Sequence, residues 1–165
     1  MLGSSLRDLT AEGHTVPGLG LLPVRTEFHH DKRTVQVRGE SLPGFAGVPG
    51  GLPLEGYEIH MGRTEREGGR PFARVAAADA ARYEEGTIAE DGRAAGTYLH
   101  GLFDSDAYRG AWIEAARRHA GLASTAVPLR LAERHEAALD RLADVLAAHL
   151  DLDAIDRLLA PAGDP

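Results

Sequence analysis

The sequence predicts an α/β domain, and three observations carry that expectation. Runs rich in β-branched and aromatic residues, divided by glycine and proline, fill most of the chain from residue 19 to residue 99. After Asp104 the apolar residues return at helical spacing instead. Between the two regions the run 94–99 delivers His100 into a turn at Gly101, and Asp104-Ser105-Asp106 supplies a helix start signal. Strands first and helices gathered at the end fit an α/β domain whose opening βα units are expected to be missing; an α+β domain is the alternative.

Taken in order, residues 1–7 read as the tail of a helix and residues 8–17 as a polar, turn-rich link. Residues 19–28, broken at Pro23, make one or two short strands, and the alternating Thr34-Val35-Gln36-Val37-Arg38 is a strand by its period of two. Residues 39–56 hold six glycines and three prolines, which makes them a loop. The next strand is 57–61, with 72–75 and Thr87-Ile88 as weaker ones; residues 76–86 have no period and read as irregular. Tyr108, Ala111, Trp112 and Ala115 fall at i, i+3, i+4 and i+7, giving an amphipathic helix over 105–120 that stops at Gly121. Leu139, Leu142, Leu146 and Leu150 mark a second helix, and Ile155, Leu158 and Leu159 a short third.

Composition narrows the function classes. At 165 residues the chain is long enough for one real core. A formal charge of -7 argues against a nucleic-acid backbone as partner, since phosphate binding calls for a basic surface. Lys32 is the single lysine, and there is no cysteine, which excludes disulfides and thiolate metal sites. No apolar run approaches the roughly 18 residues of a membrane span, and residues 1–22 lack the pattern of a secretory signal. No membrane partner and a cytoplasmic location are therefore expected. Gly18-Leu19-Gly20 lacks the following Lys-Ser/Thr and helix of a phosphate loop, so this segment is expected to bind no nucleotide or other cofactor.

The histidines carry the chemistry. A histidine at the carboxyl end of a strand lies where α/β sheets place their active sites, and His100 there is a natural general base for a nucleophile on a neighbouring loop. Glu58 and His60 are two apart on a strand and share one face, with Tyr57 and Ile59 on the other. A carboxylate beside an imidazole fixes its tautomer, so Glu58, His60 and His100 at neighbouring strand ends would form an acid–base cluster. The plainer reading is a solvated polar face. A zinc site from the same three residues is conceivable, but no spacing motif demands it and no metal is expected. His29 and His30 are adjacent and point opposite ways, while His119, His135 and His149 fall in the helical part.

Three segments in order resemble one family. Gly18-Leu19-Gly20-Leu21-Leu22-Pro23, Gly56-Tyr57-Glu58-Ile59-His60-Met61-Gly62-Arg63-Thr64 and the run 96–104 are similar to the glutamine amidotransferase domain of cobyric acid synthases, in the cobyrinate-type branch of class I amidotransferases. The resemblance spans residues 1–121, a partial amidotransferase domain, and leaves 122–165 as a helical segment packed on or extending it. It implies a flavodoxin-like α/β sandwich with a cysteine nucleophile and a catalytic histidine, which falls on His100. Ammonia freed from glutamine would pass to a synthetase domain that uses ATP and magnesium to amidate corrinoid carboxylates. Other class I enzymes carry a glutamate two residues after the histidine; here that position is Leu102, as in the branch that manages without it. The amidotransferase subunit of lipid II isoglutaminyl synthase is the nearest alternative, and a degenerate non-catalytic module is another.

The departure from the family pattern is the missing nucleophile. The family's Gly-x-Cys-Gly-Gly elbow has no counterpart here, and Met1-Leu2-Gly3 matches the end of the segment that follows it. The sequence is therefore expected to start just after the elbow, with in-frame codons for it upstream. Ser4 and Ser5 lack an elbow of their own and do not replace a thiolate. Lys32 and Arg33 are candidates to bind the glutamine α-carboxylate, against the plainer reading of a solvated strand edge. A sheet missing its opening strands would expose an edge, so self-association into a homo-oligomer is expected of the isolated chain.

Overall fold

The structure is a computed structural model that describes residues 1–11, 13–78, 80–124 and 129–159. It divides into two compact units, Met1–Leu129 and Arg130–Pro165. Of the C-terminal segment expected over 122–165, residues 125–128 and 160–165 lie outside the described residues.

The first unit is organised by two long strands, β3 (Val24–Ser41) and β4 (Pro53–Arg66), paired antiparallel along almost their whole length. On the far side of β3 lie β1 (Ser5–Asp8), with β2 (Thr15–Pro17) outside it, and β5 (Ala73–Ala77), with β6 (Tyr83–Glu85) outside that. A small two-stranded sheet joins β7 (Thr87–Ile88) and β8 (Ala95–Gly96), and β9 (Leu99–His100) closes the free edge of β4. Among the described residues β1 alone runs parallel to its neighbour β3; the other pairings are antiparallel. The mixed α/β composition thus stands, but these residues do not build the parallel sheet that the class suggests. Parallel neighbours need a crossover of a dozen or more residues, whereas the loop from β3 to β4 spans only 42–52.

Several expectations change in detail. Residues 1–7 are not a helix tail: Ser4 N–H donates to the Val24 carbonyl at 2.8 Å, and β1 continues that pairing. So short a stretch has no helical period to defend against a waiting strand edge. The glycine-rich loop is shorter than 39–56, because β3 runs into it through Ser41 and β4 starts at Pro53, where a missing N–H is tolerated. Ser41 organises what remains, donating to the Pro49 carbonyl at 3.1 Å and accepting from Leu52 N–H at 3.2 Å. Residues 83–85, read as irregular, form β6, and the expected strand 94–99 is split into β8 and β9.

The core gathers on one face of the sheet, where Val37, Leu54, Phe72, Val75, Ile88 and Leu99 meet Tyr108 and Ala115. The last two belong to α1 (Asp106–His119), whose apolar stripe is the one the spacing predicts. Ser105 caps it by accepting from Tyr108 N–H at 3.4 Å, and Gly121, at φ 68°, ends it with a bond to the Arg118 carbonyl. Burial pushes the Tyr108 phenol up to about 12. The second unit holds α2 (Leu131–His149) and α3 (Leu152–Leu159), with no buried residue in either. No helix among the described residues is long and apolar enough to cross a membrane.

Gly110 lies inside α1 with no atom within 4 Å of where a Cβ would stand. Gly110→Ala is expected to raise stability by about 0.8 kcal/mol, measured as a higher urea midpoint; an unchanged or lower midpoint would contradict this account of the helix.

Candidate active site

Two glycines bring His100 to its place. A Cβ at Gly56 would stand 2.1 Å from the His100 carbonyl oxygen, so only glycine lets β9 approach β4 this closely. Gly101 follows at φ 84°, turning the chain so that Asp104 N–H donates to the Gly101 carbonyl at 2.8 Å and a single 3-10 turn over Leu102–Asp104 leads into α1. The imidazole Nδ1–H donates to the Tyr98 carbonyl at 3.0 Å. That bond leaves Nε2 as the nitrogen with the lone pair. The ring lines a depression of about 670 Å³ together with Gln36, Arg38, Glu55, Tyr57 and Asp104.

The register separates the expected acid–base cluster. Tyr57 stands opposite His100 and Glu58 opposite Leu99, so His100 shares the open face with Tyr57 while Glu58 and His60 occupy the buried face. His100 therefore does not join Glu58 and His60, and among the described residues no three acidic or histidine side chains are grouped to hold a metal. Glu58 and His60 do meet, His60 Nε2 lying 3.0 Å from Glu58 Oε1. His60 Nδ1 donates to the Gly62 carbonyl at 2.6 Å. With both nitrogens facing oxygens, His60 is held inside this network and stacked on Tyr98 at 4.5 Å, and with Glu58 it lines a second depression of about 620 Å³.

Arg33 belongs to that network as well. Its Nε donates to Glu58 Oε2 at 3.0 Å, and its guanidinium reaches the Tyr83 hydroxyl, which also donates to Glu58. Lys32 is exposed in the bulge of β3 between Phe28 and Arg33. Neither cation lines the His100 depression; Arg38 does, ion-paired to Glu55 at 2.8 Å. The sequence carries the signal for it, since Gln36 and Arg38 alternate with the partly buried Val35 and the buried Val37, but the strand opposite has to be known before the face acquires a meaning.

Two buried carboxylates shift in opposite directions. Burial pushes Glu58 up, but hydrogen bonds from Tyr83, Arg33 and His60 outweigh it and leave its carboxyl below the usual range. Glu85 is raised: burial dominates, opposed only in part by bonds from the Tyr98 backbone and the Thr97 hydroxyl. Glu85 lies in no motif and escapes the sequence reading; Tyr98 falls inside the run 96–104, but nothing local marks its contacts.

A strand-end histidine with one nitrogen tied to the backbone is a geometry suited to a general base, and the sequence relations specify the family. The model of the CobB/CobQ-like glutamine amidotransferase domain matches residues 1–108, and the chain belongs to that family. It is 50% identical over 160 residues to the cobyric acid synthase of Desulforudis audaxviator (strain MP104C), covering 96% of this chain and 32% of that protein. It is 40% identical over 169 residues to the cobyric acid synthase of Klebsiella pneumoniae (strain 342), and 39% to that of Salmonella heidelberg (strain SL476), covering all of this chain and 33% of each relative. The chain thus spans about a third of the length of the curated relatives it matches. The family gives it a glutamine amidotransferase role.

Two substitutions test the site's construction. Gly56→Ala should cost about 1–3 kcal/mol in urea unfolding, through its clash with the His100 carbonyl. For Glu58 the folded pKa is lowered, so its stabilisation is complete above the ordinary carboxyl value of about 4.3 and is lost as pH falls through the lower folded value. Glu58→Gln should therefore lose about 1–3 kcal/mol at pH 7, with the difference from wild type shrinking on acidification toward pH 3. A difference that grows on acidification would reverse the sign and refute the assignment.

Proposed function

We propose that this chain supplies the histidine half of a cysteine–histidine glutaminase site in the amidotransferase part of a cobyric acid synthase. The observation that carries the reading is His100, its imidazole tied at Nδ1 to the Tyr98 carbonyl and the residue lining an open depression of about 670 Å³. The sequence holds no cysteine, so the thiol comes from residues outside these 165. The full domain is then flavodoxin-like, with the strands of this chain as its later part, and the reading implies a cytoplasmic enzyme.

In that site His100 Nε2 takes the thiol proton as the thiolate attacks the glutamine carboxamide carbon. The tetrahedral intermediate collapses to a thioester, and the proton held on Nε2 passes to the departing ammonia. Water, deprotonated by the same nitrogen, then cleaves the thioester to glutamate and restores the thiol. Gln36, Arg38 and Tyr57 line the place where the glutamine would lie, with Arg38 as the cation nearest to meet its α-carboxylate. Lys32 and Arg33 would serve that purpose only after a rearrangement that frees Arg33 from Glu58. ATP and magnesium belong to the synthetase part, which would use the ammonia to amidate corrinoid carboxylates. Relatives at 39–50% identity that are all cobyric acid synthases favour this reading over the lipid II branch.

The isolated chain is expected to show no glutamine hydrolysis in an ammonia-release assay. Joined at Met1 to a segment that carries the family's Gly-x-Cys-Gly-Gly elbow, it should gain glutaminase activity, and His100→Ala in that chimera should lower kcat by about 10²–10⁴-fold. Turnover by the isolated chain, or a chimera indifferent to His100→Ala, would overturn the proposal.

A further inference from the structure

Class I enzymes outside the branch that the sequence resembles place a carboxylate two residues beyond their histidine, and here that position is Leu102, packed against the core. The imidazole must take its orientation from something else. In the segment just before it, Glu85 is buried to 5% exposure, and both of its oxygens point at the residues that carry His100. Oε1 accepts from Tyr98 N–H at 2.6 Å and Oε2 from the Thr97 hydroxyl at 2.7 Å. The Thr97 hydroxyl oxygen in turn accepts from Leu99 N–H at 3.0 Å. Three successive residues, 97 to 99, are thus tied directly or through one hydroxyl to a single carboxylate.

Tyr98 is held from three sides. Its ring stacks on His60, its hydroxyl meets the Thr64 hydroxyl at 2.6 Å, and its carbonyl accepts from Ile59 N–H at 3.3 Å as well as from His100 Nδ1. A free neutral imidazole prefers its proton on Nε2, which would remove the lone pair from the nitrogen that the proposed base uses. A carbonyl fixed beside Nδ1 reverses that preference, because an acceptor-only group demands a donor opposite it.

We propose that Glu85 is a positioning residue for His100: by clamping the Thr97–Tyr98 backbone it sets the Tyr98 carbonyl against Nδ1 and holds the imidazole in the tautomer with a free Nε2. The inference rests on the reading of His100 as the base of the glutaminase site, and it names a device on the buried face that controls a side chain on the open one. The buried carboxylate, which folding tolerates only when it is hydrogen-bonded, thereby acquires a role.

The test reads the tautomer directly in the 165-residue chain, so it does not depend on glutaminase activity. Long-range 1H–15N correlation spectra at pH 8.5, assigned with His100→Ala, should show His100 with a protonated Nδ1 and an unprotonated Nε2. Glu85→Ala should lower the ratio of Nδ1–H to Nε2–H tautomer about fivefold, while Glu85→Gln, which keeps an acceptor for Tyr98 N–H, should preserve it. If Glu85→Ala does not fold, Thr97→Val removes the hydroxyl link alone and should shift the ratio the same way. A wild-type His100 protonated on Nε2, or a ratio unmoved by Glu85→Ala or by Thr97→Val in its place, would overturn the proposal whatever the chimera's activity.

Discussion

The pairing of β3 with β4 decides which face of the sheet every important side chain reaches. Up to Phe28 the even-numbered residues of β3 stand opposite the even-numbered residues of β4; from Arg33 onward the odd-numbered ones do. Between them, four residues of β3 face Met61 alone, and this bulge changes the phase of the strand. Val24 and Thr26 before it and Val37 after it are therefore all buried on one side. Without that change of phase, one half of β3 would turn its apolar residues to solvent. Glu58 and His60 face the core on this same register, and β9, paired to β4, puts His100 on the reverse side.

The two faces carry different kinds of polar chemistry. The buried side holds a closed network in which Glu58 is met by Tyr83, Arg33 and His60, and the energy of burying a charge is offset by hydrogen bonds to it. The open side holds groups that are not consumed by one another to the same degree: His100 at the turn, Arg38 and Glu55 on the strands, Asp104 at the end of the 3-10 turn before α1. Closed networks stabilise a fold and define its geometry. An open set with a free lone pair is what catalysis needs.

The link between the faces runs through the short segment 97–99. Glu85 and His60 hold it from below, and His100 leaves it above. The two carboxylates on the buried side titrate in opposite senses because hydrogen bonds from the Tyr83, Arg33 and His60 side chains outweigh burial at Glu58, while a backbone amide and a hydroxyl do not outweigh it at Glu85. In a family whose members here are about three times longer than this chain, such a segment is the place where this third meets the chemistry proposed for the whole.

Much of this was legible in the residues alone. Alternation marked Thr34–Arg38 and 57–61 as strands, the spacing of Tyr108, Ala111, Trp112 and Ala115 marked α1, and the glycine turn after a strand-like run singled out His100. These signals are local, set by side-chain period and by the few residues that tolerate a tight turn. The motif around Gly56 and His60 also pointed to the family. What the sequence did not contain was the register between strands distant in the chain. That register separated His100 from Glu58 and His60, turned residues 5–7 from a supposed helix tail into part of a strand, and joined Glu85 to Tyr98. Pairing across dozens of residues depends on which backbone groups find each other and on a bulge that no local period announces, so only the tertiary structure decided it.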